Sequence, residues 1–146
     1  MIDSFKGPFS FLSNFFPAPI KTKLGIFPTA EHLYQACKTK DHQQQLMIMQ
    51  LATPAEAKKV GKTLTIREDW DELKIGYMRK TVEYKFMQHW YLMTKLIETN
   101  HHKIIEGNWW HDNFWGVCSC ERCKGKGLNH LGNILMNLRE ENTLPF

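Results

Sequence analysis

FPTAEHLYQACKTK, residues 27–40, is the stretch on which the fold turns. Thr29 stands in the N-cap position of a helix expected over residues 30–40. At 100° per residue, Leu33, Ala36 and Cys37 share an apolar face, and Glu31, Gln35 and Lys38 line the opposite one. Glu31 and Lys38 lie two turns apart, too far for a simple surface pair. Two readings stay open. One is a solvated polar face. The other is a face turned into an aromatic cleft, with Glu31 as general acid/base and Lys38 as a desolvated amine able to form a Schiff base.

Upstream, FKGPFSFLSNFFPAPI reads as an ordered loop with short extended pieces, because proline and glycine punctuate it. Its phenylalanines argue against a disordered tail. Residues 20–23 and 26–27 flank Leu24-Gly25 as a small hairpin. Downstream, Asp41 with Gln44 has capping-box spacing for a second helix. Thr53, Pro54, Glu56 and Gly61 mark the cap, first position, box and stop of a third. A long helical stretch runs from about Asp69 toward Thr99. Leu73, Tyr77, Met78, Thr81, Lys85 and Met87 recur along it, and a break is placed near His89-Trp90. Asn100 and His101-His102 suggest a stop. Residues 103–106 read as a short strand and residues 107–128 as a long loop. Asn129 then caps a last helix, with Leu131, Ile134, Leu135 and Leu138 on one face.

Composition bounds the function. At 146 residues and 42% hydrophobic, with 23% charged, the chain has the size and usage of one globular domain. Mean hydropathy is −0.43, and no apolar run spans a membrane. The absence of a basic segment leading into an apolar one predicts no secretory signal and a cytoplasmic location. Five Trp, nine Phe and four Tyr are many for so small an interior. The surplus suits a pocket that stacks planar ligands. A net charge of +4 permits a phosphorylated or nucleic-acid partner without demanding one.

Two loop features carry further chemistry. HDNFWG, residues 111–116, holds Asp112 beside Trp115 and Gly116, either as a turn residue or as a site carboxylate. Cys118, Cys120 and Cys123 give C-x-C-x2-C, and Cys37 is distant. A structural zinc, two disulfides and free thiols all remain open; zinc needs a fourth ligand from Cys37, His111, His130 or elsewhere. Lys58, Lys59 and Lys62, and again Arg122, Lys124 and Lys126, form short basic clusters that fit solvated surface or a phosphate track.

Taken in order, FKGPFSFLSNF, PTAEHLYQACK, DWDELKIGYMRKTVEYKF, LIETNHHKIIEGNWWHDNFWG and GLNHLGNILMNLRE resemble the NADAR (YbiA-like) family over nearly the whole chain. The cysteine-rich insert after Gly116 departs from its simplest members. The resemblance implies an α+β fold: a compact, helix-rich single domain over residues 1–146 with a few short strands. It implies hydrolysis of N-glycosidic bonds without a catalytic cofactor. Two substrate classes follow from it. One is ADP-ribose on a nucleobase, notably guanine in DNA, with an ADP-ribosyltransferase toxin as genomic partner. The other is a ribosylamino-pyrimidine phosphate of riboflavin synthesis; the alternative of a different class is a non-catalytic ADP-ribose or nucleic-acid binding module. Carried over, Lys38, Glu31 and Asp112 are the catalytic trio. Gly7, Phe9, Asn14, Phe15, His32, Gln35, Trp70, Lys85, Trp115, Gly116 and Asn129 are expected to bind substrate.

Overall fold

Short capped helices, rather than sheet, organise this chain. A computed structural model describes residues 1–145. They form two units, Asn14–His89 and Met1–Ser13 with the chain from Trp90 onward.

In the first unit, β1 (Ile20–Thr22) and β2 (Gly25–Phe27) make the expected antiparallel hairpin, with Ile20 opposite Phe27. The Thr22 hydroxyl closes the turn, donating to the Gly25 carbonyl at 3.0 Å and accepting from the Leu24 N–H at 3.2 Å. Helix α1 (Ala30–Cys37) follows its Thr29 cap and ends sooner than the sequence predicts, at Lys38. Helix α2 (His42–Met49) is capped by Asp41, which accepts from Gln43 and Gln44. The Gln44 side chain does not return the bond. It accepts instead from Thr39 and the Thr65 N–H. Thr53 caps α3 (Pro54–Gly61) through the Glu56 N–H.

Helix α1 packs against α2, α3 and α4 (Trp70–Gln88). Phe27, Ala36, Ile48, Ala57 and Leu64 form the core below it. Full burial of Phe27 or Ile48 contributes about 1.5–3 kcal/mol each. Helix α4 buries Trp70, Met78, Thr81, Val82, Lys85 and Phe86. Leu73 and Met87, expected on that stripe, are 38% and 61% exposed. His89 leaves helical geometry at φ −128° and ψ 82°, which is the expected break.

The second unit begins with a 3-10 helix, Gly7–Leu12, where extended pieces are expected. Helix α5 (Trp90–Glu98) stops ahead of Asn100, whose φ of 52° is the left-handed turn that asparagine tolerates. The strand expected at 103–106 is only a bridge between Ile2 and Ile104. The paired strands come later, as β3 (Gly107–Asn108) and β4 (Val117–Cys118), which run parallel. Helix α6 (His130–Asn142) buries Leu131, Ile134, Leu135 and Leu138 as expected.

Asn129 does not cap α6 with its side chain, because other groups already fill that role. The carbonyls of Phe114, Trp115 and Gly116 take the N–H groups of His130, Leu131 and Asn129. The Asn129 amide is thereby released for two other backbone bonds. It accepts from the Glu106 N–H and donates to the Ile104 carbonyl, both at 3.0 Å. Asn129→Ala strands both groups and places alanine at φ 53°. A destabilisation of about 2–4 kcal/mol is expected in denaturant titration. Asn129→Gly relieves the backbone strain but leaves most of that loss.

Candidate active site

The N-terminus of α1 is set by the preceding loop. The Asn14 carbonyl accepts the Glu31 N–H at 3.0 Å, and the buried Asn14 amide reaches Met78 Sδ at 3.2 Å. His32 is fully buried. Its Nε2 lies 3.0 Å from the Leu51 carbonyl, which can only accept, so Nε2 carries the proton. Nδ1 then accepts from the Thr29 hydroxyl at 2.7 Å. Burial holds this imidazole below its ordinary pKa and so keeps it neutral. Both ring nitrogens therefore serve the scaffold.

The polar face of α1 is not solvated. Glu31 and Gln35 are 7% and 3% exposed, more deeply buried than Leu33 and Cys37 on the apolar side. Gln35 Nε2 donates to Glu31 Oε1 at 2.8 Å. Gln35 Oε1 is buried with no hydrogen-bond partner among the described residues. Gly61 makes room for it, since a Cβ at that position would collide with the same oxygen. Gly61 thus matters through close approach. It is the last residue of α3, not a left-handed stop.

Lys38 lies at the other end of the face, its Nζ 5.8 Å from the Tyr34 ring centre. Burial lowers its pKa, Glu31 opposes that shift, and Lys58, Lys62 and Lys74 reinforce it. The amine is therefore more available as a nucleophile than an exposed lysine. Arg67 closes this end of the helix. Its N–H binds the Lys38 carbonyl at 2.8 Å, and its guanidinium reaches the Cys37 carbonyl, Asp69 and the Tyr77 hydroxyl. Trp70 is held between Tyr34 and Tyr77, with ring centres 5.4 and 5.8 Å away. Lys85 is fully buried, over Phe16 and Phe86, while Phe15 stays 40% exposed. A cleft of about 750 Å³ lies in this unit, lined among others by Leu33, Cys37, Arg67 and Tyr77. It takes in none of Glu31, Gln35 or Lys38, which lie on the opposite face of the helix.

In the second unit, Asp112 Oδ1 accepts from the N–H groups of Phe114 and Trp115 at 3.2 and 2.9 Å. Its backbone is gripped by the Asn108 amide at both N–H and carbonyl. Asp112 is thus a turn residue with one carboxylate oxygen committed to the turn. Trp115 packs edge-on to Phe114 and His130. Gly116 is obligatory, because a Cβ there would collide with Glu106. Gly7, at φ 55°, opens the 3-10 helix. Phe9 lines a cleft of about 530 Å³ with Phe11, Lys95 and His102. Cys118, Cys120 and Cys123 are free thiols gathered around His111, with ligand atoms within 4.8 Å of one another. Cys37 is not among them.

A family model described as the NADAR domain matches residues 3–142. The chain is 39% identical over 139 residues to an N-glycosidase of Nostoc punctiforme, covering 92% of this chain and 86% of that protein. It is 36% identical over 131 residues to the N-glycosidase YbiA of Escherichia coli, covering 88% and 79%. The NMR structure of E. coli YbiA superposes with a TM-score of 0.80 at 34% identity, covering 97% of this chain and 84% of that one. A riboflavin biosynthesis protein of Vibrio vulnificus is 34% identical over 90% of this chain but only 35% of its own length. The chain belongs to the NADAR family. Its relatives support an N-glycosidase as its enzyme class.

Within this NADAR chain the sequence reading missed Tyr34, Arg67, Glu106 and Asn108. None stands in a motif with a mechanism of its own, and each acts by holding a neighbour. The buried pair at Glu31 and Gln35 predicts that Gly61→Ala, which intrudes on the amide, lowers turnover and costs about 1–3 kcal/mol in denaturant titration. A variant of full activity and stability would show that this packing is slack.

Lys85 supplies a pH dependence. Burial pushes its amine from 10.5 down to about 7. Between those values the unfolded chain binds a proton that the folded chain does not, so stability rises with pH from about 7 to 10.5. The penalty is fully felt below about 7. Lys85→Met removes this component. The gap in unfolding free energy between variant and parent should shrink steadily as the pH is raised across that window.

Proposed function

We propose that residues 1–146 act as one NADAR domain that removes ADP-ribose from guanine in nucleic acid, with Lys38 as the nucleophile. The observation that carries the proposal is a desolvated lysine amine and a buried carboxylate on one face of α1. Glu31 is fixed by Gln35 at 2.8 Å, and its charge is felt at Lys38. An N-glycosidic carbon becomes oxocarbenium-like as the base departs. The Lys38 ammonium first passes a proton to the Glu31 carboxylate; the neutral amine then bonds to that carbon while the bond to the base nitrogen breaks, and Glu31 delivers that proton to the leaving base. The lysine–sugar adduct opens its ring to an imine, passing its surplus proton back to Glu31. Water adds to the imine carbon, and the lysine leaves as free amine together with ADP-ribose.

The other role assignments follow the family resemblance. Asp112 holds ribose hydroxyls or assists the departing base, Trp70 and Trp115 wall off water, and Asn14 binds a sugar or phosphate oxygen. The nucleic-acid substrate is supported by Arg122, Lys124 and Lys126, and by Trp109 and Trp110, which are 68% and 46% exposed beside that loop. On this reading the chain reverses the product of an ADP-ribosyltransferase toxin. A second reading, cleavage of a ribosylamino-pyrimidine phosphate, rests on the name of the Vibrio relative.

Separate incubation with ADP-ribosylated guanine DNA and with the ribosylamino-pyrimidine phosphate, followed by mass spectrometry of the products, decides between them. Turnover of the DNA should fall steeply with salt. Lys38→Ala should lose at least about 1,000-fold in kcat, the scale of a missing nucleophile, while keeping its circular dichroism. Borohydride should trap sugar on the parent protein and not on this variant. Full activity in Lys38→Ala ends the imine mechanism.

A further inference from the structure

The segment from residue 109 to residue 128 has almost no apolar interior. Its buried residues are Gly116, Cys118 and Cys123, so two of three are cysteines. Its pairing, β3 with β4, is two residues deep. A loop of this length needs another source of order.

The cysteines supply a geometry that suits one. His111 Nδ1 lies 3.0 Å from Cys123 Sγ and 3.5 Å from Cys120 Sγ. All four candidate ligand atoms fall within 4.8 Å of one another. A tetrahedral zinc with bonds of about 2.3 Å to sulfur and about 2.0 Å to nitrogen has edges of about 3.5–3.8 Å. The ligand atoms already converge on that scale. The backbone is shaped around them. Lys124 and Gly125 take φ of 52° and 78° after Cys123, and His111 takes 70°. The turn is closed by Lys124 N–H to Cys120 O and by Gly125 N–H to Cys118 O, both at 2.8 Å.

Donors point at the sulfurs as well. The N–H groups of His111 and Cys120 approach Cys118 Sγ at 3.2 and 3.4 Å, and the Asn113 amide approaches Cys123 Sγ at 3.5 Å. Such donors stabilise thiolates and support metal ligands from behind. A disulfide would use two of the sulfurs and give the imidazole among them no part.

We propose that His111, Cys118, Cys120 and Cys123 bind one structural zinc ion. Three thiolates and an imidazole suit zinc in softness and number. Four protein ligands complete the tetrahedron and leave no open position, so the ion acts on structure rather than on substrate. Its consequence is local. His111 directly precedes Asp112, and Asn113, on the other side, braces Cys123. The ion thereby fixes both ends of the Asp112 turn. This inference does not depend on the substrate proposed above.

Metal analysis of the purified protein should find one zinc per chain. Replacement by cobalt(II) should give the visible bands and sulfur charge-transfer absorption of a tetrahedral thiolate site. Under reducing, native conditions a thiol reagent should modify at most Cys37, and after chelation all four cysteines. Cys120→Ser and His111→Ala should each lower zinc occupancy at least tenfold at a fixed chelator concentration, whereas Cys37→Ser leaves it unchanged. Asn113→Ala should weaken zinc affinity about 10-fold while keeping the stoichiometry. Should Cys120→Ser fail to fold, the thiol count on the parent protein decides alone. Absence of zinc with Cys118, Cys120 and Cys123 reactive or disulfide-bonded before chelation overturns the proposal, as does unchanged zinc binding in folded Cys120→Ser.

Discussion

The contact between Gln35 Nε2 and Glu31 Oε1 is the constraint around which the first unit is built. A carboxylate that leaves water must be met by donors, or it reprotonates. On an eight-residue helix one such donor lies a turn away, at Gln35. That choice dictates others. The amide needs room, so α3 ends in a residue without a side chain. The start of α1 must not drift, so the Asn14 carbonyl takes the Glu31 N–H and His32 ties the first turn to Leu51. Arg67 fixes the last turn through the Lys38 carbonyl. The apolar core beneath α1 supplies cohesion, and the polar face sets its orientation.

Lysine burial carries the same logic into reactivity. Lys38 and Lys85 both sit in surroundings that disfavour their charged forms. An ammonium in such a place lowers stability, and a fold optimised for stability alone would place methionine or leucine there. At Lys38 the Glu31 charge opposes the effect of burial, so part of the shift is offset by a nearby carboxylate.

Local chemistry was legible wherever a side chain acts on its own backbone. Thr29, Asp41 and Thr53 cap their helices as their positions require, and Asn100 ends α5 in the left-handed turn. The catalytic candidates Glu31 and Lys38 were legible as a shared helix face, but the burial of that face was not, because burial is decided by partners far along the chain. Asn129 shows the limit clearly. Its position is that of a cap, yet the carbonyls of residues 114–116 cap α6 from outside and free its amide for other work. Gly61 likewise reads as a helix stop until Gln35 is seen beneath it. Leu73 and Met87 keep the helical period yet face outward, since periodicity cannot say which side of a helix finds a partner.

The loop between β3 and β4 poses the converse problem. Residues 111–116 hold the Asp112 carboxylate in a defined turn, and a turn stabilised by Asn108 and a few backbone bonds opens readily in water. The carbonyls of residues 113–116 take the N–H groups of residues 128–131, leading into α6, and secure the trailing side of the turn. On the leading side, His111 adopts a left-handed backbone, φ 70°, which disfavours the turn. The cysteine cluster contacts His111, through the Cys118, Cys120 and Cys123 sulfurs. The cysteine insert thus touches both flanks of the Asp112 turn, through His111 on one side and Asn113 on the other.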